Sequence, residues 1–396
     1  MSDALADARV LVFVDPIERC SYPVTETGYA LLYRLWGRLA HNGGQLFVAA
    51  DEPRLDGATV LAHRVTRFRA SPYDAYRSQR IHYDPSRDLG AAPCHDVEPA
   101  RRVSLSGFEA VMWRREDGPR RALLEALAEI EDDVVVYLSP RLALDPAYSS
   151  KVLPERLAPD RTPRTLDTAA VSGEPARKVA AAAAFAEELL RSSTTVIAKP
   201  RHGDNGVGIT ALGLDPTTGG SRPVESGLTA LVAQFGDVVV QEYLASVRCP
   251  PDLTHEDLPH VPLDRRDFGE VRFLLVDGEV PRHSSGRPHV MARRVPTPNS
   301  LVADSGISHP TTLSDEELAF VSALGEAYRT LGIHFGGGDL IRTPDPERPF
   351  VFTDAAQSVC GHAVVTGALD GAPYGVIDQV VDSLARRVHD HRSAVV

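Results

Sequence analysis

Residues 196–210, "VIAKPRHGDNGVGIT", pass from an apolar run into Lys199 and Pro200, then into glycines at 203, 206 and 208. The run reads as a buried strand, and the glycines as a loop whose backbone N–H groups can face an anion. A lysine at this junction stands out, because the chain has only three (Lys151, Lys178 and Lys199) against 39 arginines. A compact ammonium fits between one phosphate oxygen and a carbonyl where a planar guanidinium does not. Strand, lysine and glycine loop together can cradle a phosphate. The order is not that of a P-loop, where the lysine follows the glycines, and no G-x-G-x-x-G fingerprint occurs. Alone, the stretch also reads as a surface loop, so its neighbours decide.

Upstream lies the Ala-rich helix candidate "ARKVAAAAAFAEELLRSS" (176–193), and downstream the buried-strand pattern "DVVVQEYL" (237–244). Residues 246–268, rich in proline and charge, read as a long loop. "EVRFLLVDGEVPRHSSGR" (270–287) reads as two strands around an Asp-Gly turn. "SDEELAFVSALGEAYRTLG" (314–332) opens on a Ser-x-x-Glu capping box and is helical. "FGGGDLIRTPDPERPFVFTDAAQ" (335–357) reads as a second hairpin, with Asp339 and Asp354 on its two strands. Paired carboxylates on adjacent strands are a common way to hold Mg²⁺ against a polyphosphate, though they also occur at solvated strand ends. Toward the N-terminus, "RVLVFVD" (9–15), "TGYALLYRLWGRLAHNGG" (27–44) and "QLFVAA" (45–50) read as strand, helix and strand. The alternation repeats over 108–140, so the first 140 residues or so read as one open α/β layer.

Composition sets outer limits. The 396 residues are 43% hydrophobic and 24% charged, the profile of a globular protein of two or three domains. The net charge of −12 argues against a nucleic-acid partner. The locally basic stretch 63–84 reads as a solvated Arg-rich connection. No apolar run approaches the ~20 residues of a membrane span, no signal peptide is recognisable, and the scattered Cys20, Cys94, Cys249 and Cys360 suit a reducing cytoplasm.

Taken in order, these segments resemble the ATP-grasp carboxylate–amine ligases, and bacterial glutathione synthetase above all. "DPIE" (15–18) looks like that family's opening motif, and "FEAVMWRREDGP" (108–119) like its strand-plus-arginine element. "SSKVLPERLAP" (149–159) resembles the segment carrying the first ATP lysine, "VIAKPRHGDNGVGI" the second lysine and phosphate loop, and "VVVQEYL" the adenine strand. "EVRFLLVDGEV" and "MARRVP" (291–296) resemble its arginine-bearing strands. The resemblance implies an N-terminal α/β substrate-binding domain (1–140) and a two-lobed ATP-grasp region (141–390, divided near 240). It implies ATP held by Lys151, Lys199, Gly203, Asn205, Gly206, Gly208, Gln241, Glu242, Tyr243 and Leu244, and Mg²⁺ held by Asp339 and Asp354. Arg272 and Arg293 would be catalytic, with Asp15, Arg114 and Asn299 facing the substrates. The implied activity joins an amino-acid carboxylate, glutamate among the candidates, to an amine through an acyl phosphate. A cytoplasmic homo-oligomer with small amino-acid or short-peptide substrates is expected.

Two departures bear on this. The family's last motif is Glu-x-Asn, both residues binding Mg²⁺, whereas "TDAA" offers Asp354 and then Ala356. The loop between Arg293 and Asn299 is shorter than in glutathione synthetase and lacks its arginine. Two alternatives therefore stay open: a ligase that adds amino acids to a peptide or protein, and an ATP-binding regulator that does no chemistry.

Overall fold

The computed structural model describes residues 4–14, 27–49, 58–68, 71, 95–114, 120–202, 208–215, 219–245, 269–293, 308–357 and 371–395. They build three sheets, each covered by helices. The first contains β1 (Arg9–Val14), β2 (Gln45–Ala49), β3 (Thr59–Phe68), β4 (His95–Val97), β5 (Arg101–Ser104), β6 (Ala110–Arg114) and β7 (Val135–Tyr137). Its order is β4-β3-β2-β1-β6-β7, with β5 also beside β3. β1 runs parallel to β2 and β6, and β6 to β7. Parallel strands are buried on both faces, which is why these runs are almost wholly apolar.

Residues 63–68, read from sequence as part of a solvated connection, instead form the second half of β3 and pair with β2 and β4. Its arginines mask the strand, in which a register shift between Val65 and Arg67 brings both Val65 and Phe68 to buried positions. Phe68 stacks on Tyr33 and Trp36 of α1 (Thr27–His41).

One face of this sheet packs on α2 (Arg121–Ile130) through Phe13, Phe47, Trp113 and Leu127. The other face carries Val10, Val12, Leu46 and Met112 and is covered by α1 together with a helix from the far end of the chain, 375–395. Short helices α3 (Pro140–Leu144) and α4 (Leu153–Leu157) lead out of the first sheet.

The second sheet is antiparallel, in the order β11-β10-β9-β12-β8. Its strands are β8 (Thr165–Asp167), β9 (Thr195–Pro200), β10 (Thr210–Leu214), β11 (Ser221–Arg222) and β12 (Val238–Glu242). Helices α5 (Pro175–Leu189) and α6 (Val224–Phe235) cover one face, sealing Val196, Ala198, Val238 and Val240.

The third sheet runs β15-β14-β13-β16-β17, also antiparallel. Its strands are β13 (Glu270–Val276), β14 (Val290–Arg293), β15 (Ser308–Pro310), β16 (Phe335–Arg342) and β17 (Phe350–Gln357). α7 (Asp315–Thr330) covers one face, and its first turn is closed by the expected capping box between Ser314 and Glu317. The first expected hairpin differs. The Asp277-Gly278 turn is present, with φ of 50° and 79°, but no strand returns over 279–287. β13 pairs instead with β14 and β16. Pro281 and Pro288 lack the N–H groups that a continuous ladder needs.

The last helix, α8 (Gly375–Val395), carries an apolar stripe of Val376, Ile377, Val380, Val381, Leu384 and Val388 into the first sheet's core. Leu274, Val276 and Phe335 of the third sheet enter that same core, fastening the two sheets together.

Gly278 and Gly325 bring the β13 turn against α7 so closely that a Cβ on Gly325 would lie 1.8 Å from the Gly278 carbonyl oxygen. Gly325→Ala must therefore push helix and turn apart. The expected cost is ~1–3 kcal/mol, as for overpacked sites, read as a thermal midpoint lowered by a few degrees; an unchanged midpoint would refute the contact.

Candidate active site

The helix-covered face of the second sheet takes Val196 and Ala198 of β9, so the two-residue strand period turns Ile197 and Lys199 to the other face. Lys199 lies across from Val239 of β12, and Gln241 shares that face one period further on. Both Lys199 and Gln241 are buried. Gln241 donates from Nε2 to Thr165 Oγ1 at 3.0 Å.

In the third sheet Val271, Phe273, Leu340, Phe350 and Phe352 face α7, which leaves Arg272 and Asp339 on the opposite face. These two are direct cross-strand partners. Arg272 donates from Nε and Nη2 to the two Asp339 oxygens, each at 2.7 Å.

Asp354 would fall on the helix side by simple alternation from Phe350 and Phe352. A bulge prevents it: Leu340 pairs with Phe352 but Asp339 pairs with Asp354, so Thr353 is the extra residue. Asp354 thereby swings to the face of Asp339, and Ala355 takes the core position. Lys151, from the segment between α3 and α4, donates to Asp354 Oδ2.

Electrostatically these groups are one unit. Burial, aided by the charge of Lys151, holds the Lys199 ammonium down to a pKa of about 8, against the pull of Asp354, Glu270 and Asp339. Burial also works against the Arg272 charge, but Asp339, Glu270 and Asp354 outweigh it and its pKa lies above the ordinary guanidinium value. Among the described residues three cations and three carboxylates thus share one region.

No protein-family model matches this chain, and no curated protein sequence does. Solved structures do. D-cycloserine synthetase DcsG superposes with a TM-score of 0.56 at 16% identity, over 96% of this chain and 99% of that one. VanG D-Ala:D-Ser ligase from Enterococcus faecalis gives 0.53 at 13%, over 95% and 99%. D-alanyl-alanine synthetase A from Vibrio cholerae O1 biovar eltor gives 0.54 at 9%, over 97% and 99%. The likeness extends over the full length of each partner. The chain has the ATP-grasp ligase fold.

On this ATP-grasp scaffold the expected site residues divide into two sets. Lys151, Lys199, Arg272, Asp339 and Asp354 come together from two sheets and a connecting segment. Arg114 ends β6 of the first sheet, its guanidinium 5.7 Å from the centre of the Phe335 ring at the start of β16. Glu242 ends β12 and pairs with Arg348 at 3.1 Å, while Tyr243 and Leu244 follow it half-buried. Gly208 has φ +78° and touches the Pro200 and Phe235 side chains, so any Cβ there would collide. Arg293 closes β14, its backbone opposite Glu270. Asp15, Gly203, Asn205, Gly206 and Asn299 lie outside the described residues.

Sequence reading missed three elements of the site. Glu270 supplies the third carboxylate. Arg201, two residues beyond Lys199, is buried and donates to Asp167 Oδ2 (2.8 Å) and to the Pro146 carbonyl (2.6 Å). Ser149 donates to the Arg201 carbonyl (2.6 Å), and its Oγ accepts from the Lys151 N–H (3.2 Å). The next carbonyl, that of Ser150, accepts from Ala355 N of β17 (3.0 Å). The two lysines are therefore positioned by one hydrogen-bonded chain. Basic residues are so numerous in this sequence that nothing marked Arg201 out.

A hard divalent cation fits the carboxylate pair. Asp354 Oδ1 is buried without a hydrogen-bond partner, so an acceptor remains beside Asp339. Among the described residues no group of three or more His, Cys, Asp or Glu forms a ready-made protein cage. Mg²⁺, which keeps several waters or phosphate oxygens, suits two carboxylates.

The low pKa of Lys199 makes a stability prediction. Its proton is held less well folded than unfolded, so folding suffers a penalty that is full below pH 8 and fades as pH rises toward 10.5. Without ligand, Lys199→Met should stabilise the protein at pH 7 by on the order of 2–3 kcal/mol, and the gain should shrink above pH 8. Chemical denaturation at pH 7 and 9.5 checks both sign and trend; a gain that grows with pH would reverse the assignment.

Proposed function

We propose that this protein is an ATP- and Mg²⁺-dependent ligase that joins an amino-acid carboxylate to the amine of a second amino acid. The observation that carries the reading is the convergence of two of the chain's three lysines with Arg272, Asp339 and Asp354. Paired cations and paired carboxylates in one buried region suit phosphoryl transfer, where positioning and charge neutralisation do most of the work.

Lys151 and Lys199 would hold phosphate oxygens, and Gln241 to Leu244 would line the base. Asp339 and Asp354 would hold Mg²⁺, which supplies charge neutralisation at the transferred phosphoryl group. The substrate carboxylate takes the terminal phosphoryl group and ADP leaves. The amine then attacks the activated carbonyl, and phosphate departs as the amide forms. Arg272 and Arg293 would stabilise the oxygens that gain charge in both steps. The loop after Lys199 would exclude water from the acyl phosphate, a lid role.

The departures from the glutathione-synthetase motifs point to a specialised amino-acid ligase, with glutamate the first carboxylate to test. The solved structures above are named for D-cycloserine, D-Ala:D-Ser and D-alanyl-alanine, all small molecules, which supports free amino acids as substrates. A γ-glutamyl or dipeptide product of specialised metabolism is the finer form of the proposal. Ala356, where the motif has a Mg²⁺-binding Asn, favours one competitor: an ATP-binding regulator.

Two measurements test this. A charged hydrogen bond is worth ~1.5–3 kcal/mol, so Lys199→Ala should weaken ATP binding roughly 10- to 100-fold. Unchanged affinity in the folded variant would remove Lys199 from the site. With the true carboxylate, hydroxylamine should trap a hydroxamate even without the amine, and ADP release should match amide formation one for one. ATP binding with neither signal, across amino acids and dipeptides, would favour the regulator.

A further inference from the structure

The carboxylates assigned to the metal already have protein cations. Lys151 sits on Asp354 and Arg272 grips Asp339 with both arms of its guanidinium. With Lys199 and Glu270 included, the described residues of the region set Lys151, Lys199 and Arg272 against Glu270, Asp339 and Asp354, three charges of each sign. The two pairs differ in how readily they part. Arg272 and Asp339 are register partners on neighbouring strands, and two parallel hydrogen bonds fix the contact. Lys151 comes from the irregular segment between α3 and α4 and makes one contact with Asp354 through a flexible stem. Asp354 keeps a second oxygen, Oδ1, buried and without a hydrogen-bond partner.

A bare dication brought to Asp354 Oδ1 competes with the largely buried Lys151 ammonium on the other oxygen, and full use of the carboxylate by the metal takes that partner from Lys151. Removing one partner from a buried ion pair is strongly unfavourable, because the remaining charge is uncompensated. A polyphosphate arriving with the metal changes the balance. Its oxygens receive Lys151 as Asp354 turns to the cation, so each charge leaves one partner for another.

Resting on the ligase reading above, we propose that Lys151 is the resting counter-ion of Asp354, so that this carboxylate accepts a divalent cation only together with a nucleotide polyphosphate. Lys151 then has two roles in succession: it closes the metal site in the free protein, and it holds phosphate in the loaded one. The site is thereby protected from free divalent cations, and metal and nucleotide enter as a unit.

The test uses Mn²⁺ in place of Mg²⁺, with free Mn²⁺ followed by its electron paramagnetic resonance signal. Without nucleotide, the full chain should show no saturable Mn²⁺ binding below millimolar concentration; with ADP present it should. Lys151→Met should bind Mn²⁺ without nucleotide at least tenfold more tightly than the unmodified protein. Lys151→Gln, which keeps a hydrogen-bond donor but no charge, should do the same. The added binding should vanish in Lys151→Met combined with Asp354→Asn. As a second readout, Mg²⁺ alone should raise the thermal midpoint of Lys151→Met and leave that of the unmodified protein unchanged.

Tight nucleotide-free Mn²⁺ binding by the unmodified protein would overturn the proposal, as would folded Lys151 variants that bind no more tightly. Failure of the nucleotide-binding part of the ligase reading looks different. ADP would then neither bind nor promote Mn²⁺ uptake in any of these proteins, whatever the nucleotide-free titrations show.

Discussion

A buried aspartate in the middle of a sheet is costly without a cation within hydrogen-bonding distance, and Asp339 has Arg272 directly across the ladder. That requirement reaches outward. The pairing holds β13 and β16 in one register, because a slip of a single residue would turn Arg272 to the helix side and leave the carboxylate alone. The same register places Leu274, Val276 and Phe335 where they enter the first sheet's core. Thr353 then adds its bulge and carries Asp354 to the same face, where Lys151 completes the set. Site and scaffold are not separable here: the charged cluster is part of what specifies the third sheet.

The parts visible in the sequence were those announced by local chemistry. Lys199 stood out through the scarcity of lysine, Ser314 and Glu317 through their spacing, and the 335–357 hairpin through apolar runs around a proline-rich turn. The N-terminal α/β layer could be read from strand and helix patterns, whereas the two lobes after it came from the resemblance to ATP-grasp ligases; the chain adopts an α/β layer followed by two antiparallel sheets. What escaped depended on contacts between distant segments. The bulge at Thr353 has no signature in "FVFTDAAQ", where plain alternation puts Asp354 with the phenylalanines. The Arg201–Asp167 pair spans 34 residues, and the chain of contacts through Ser149 spans 52. β3 was hidden by arginines at its exposed positions, and the strand return after Gly278 was misplaced because prolines interrupt the ladder.

Preorganisation in this molecule works through cancelled charge. Lys199 is held where its ammonium is disfavoured, and nearby carboxylates keep it from losing the proton altogether. An enclosed set of cations and anions needs little reorganisation when one anion replaces another, which suits chemistry on phosphate. Arg114, over the Phe335 ring, brings a guanidinium of the first sheet beside the start of β16, while the charged cluster itself is drawn from the second and third sheets and the segment that carries Lys151.

The placement of α8 has a consequence for how the chain is made. Residues 9–137 form a sheet whose one face is covered partly by α1 and partly by a helix that begins at Gly375. During synthesis from the N-terminus, Val10, Val12, Leu46 and Met112 therefore wait for more than two hundred further residues before Val380 and Leu384 arrive to cover them. The second sheet, with its own helices and core, has no such dependence. A nascent chain stalled before Gly375 would carry an exposed apolar face of the kind chaperones bind, so the earliest layer to leave the ribosome is among the last to be finished.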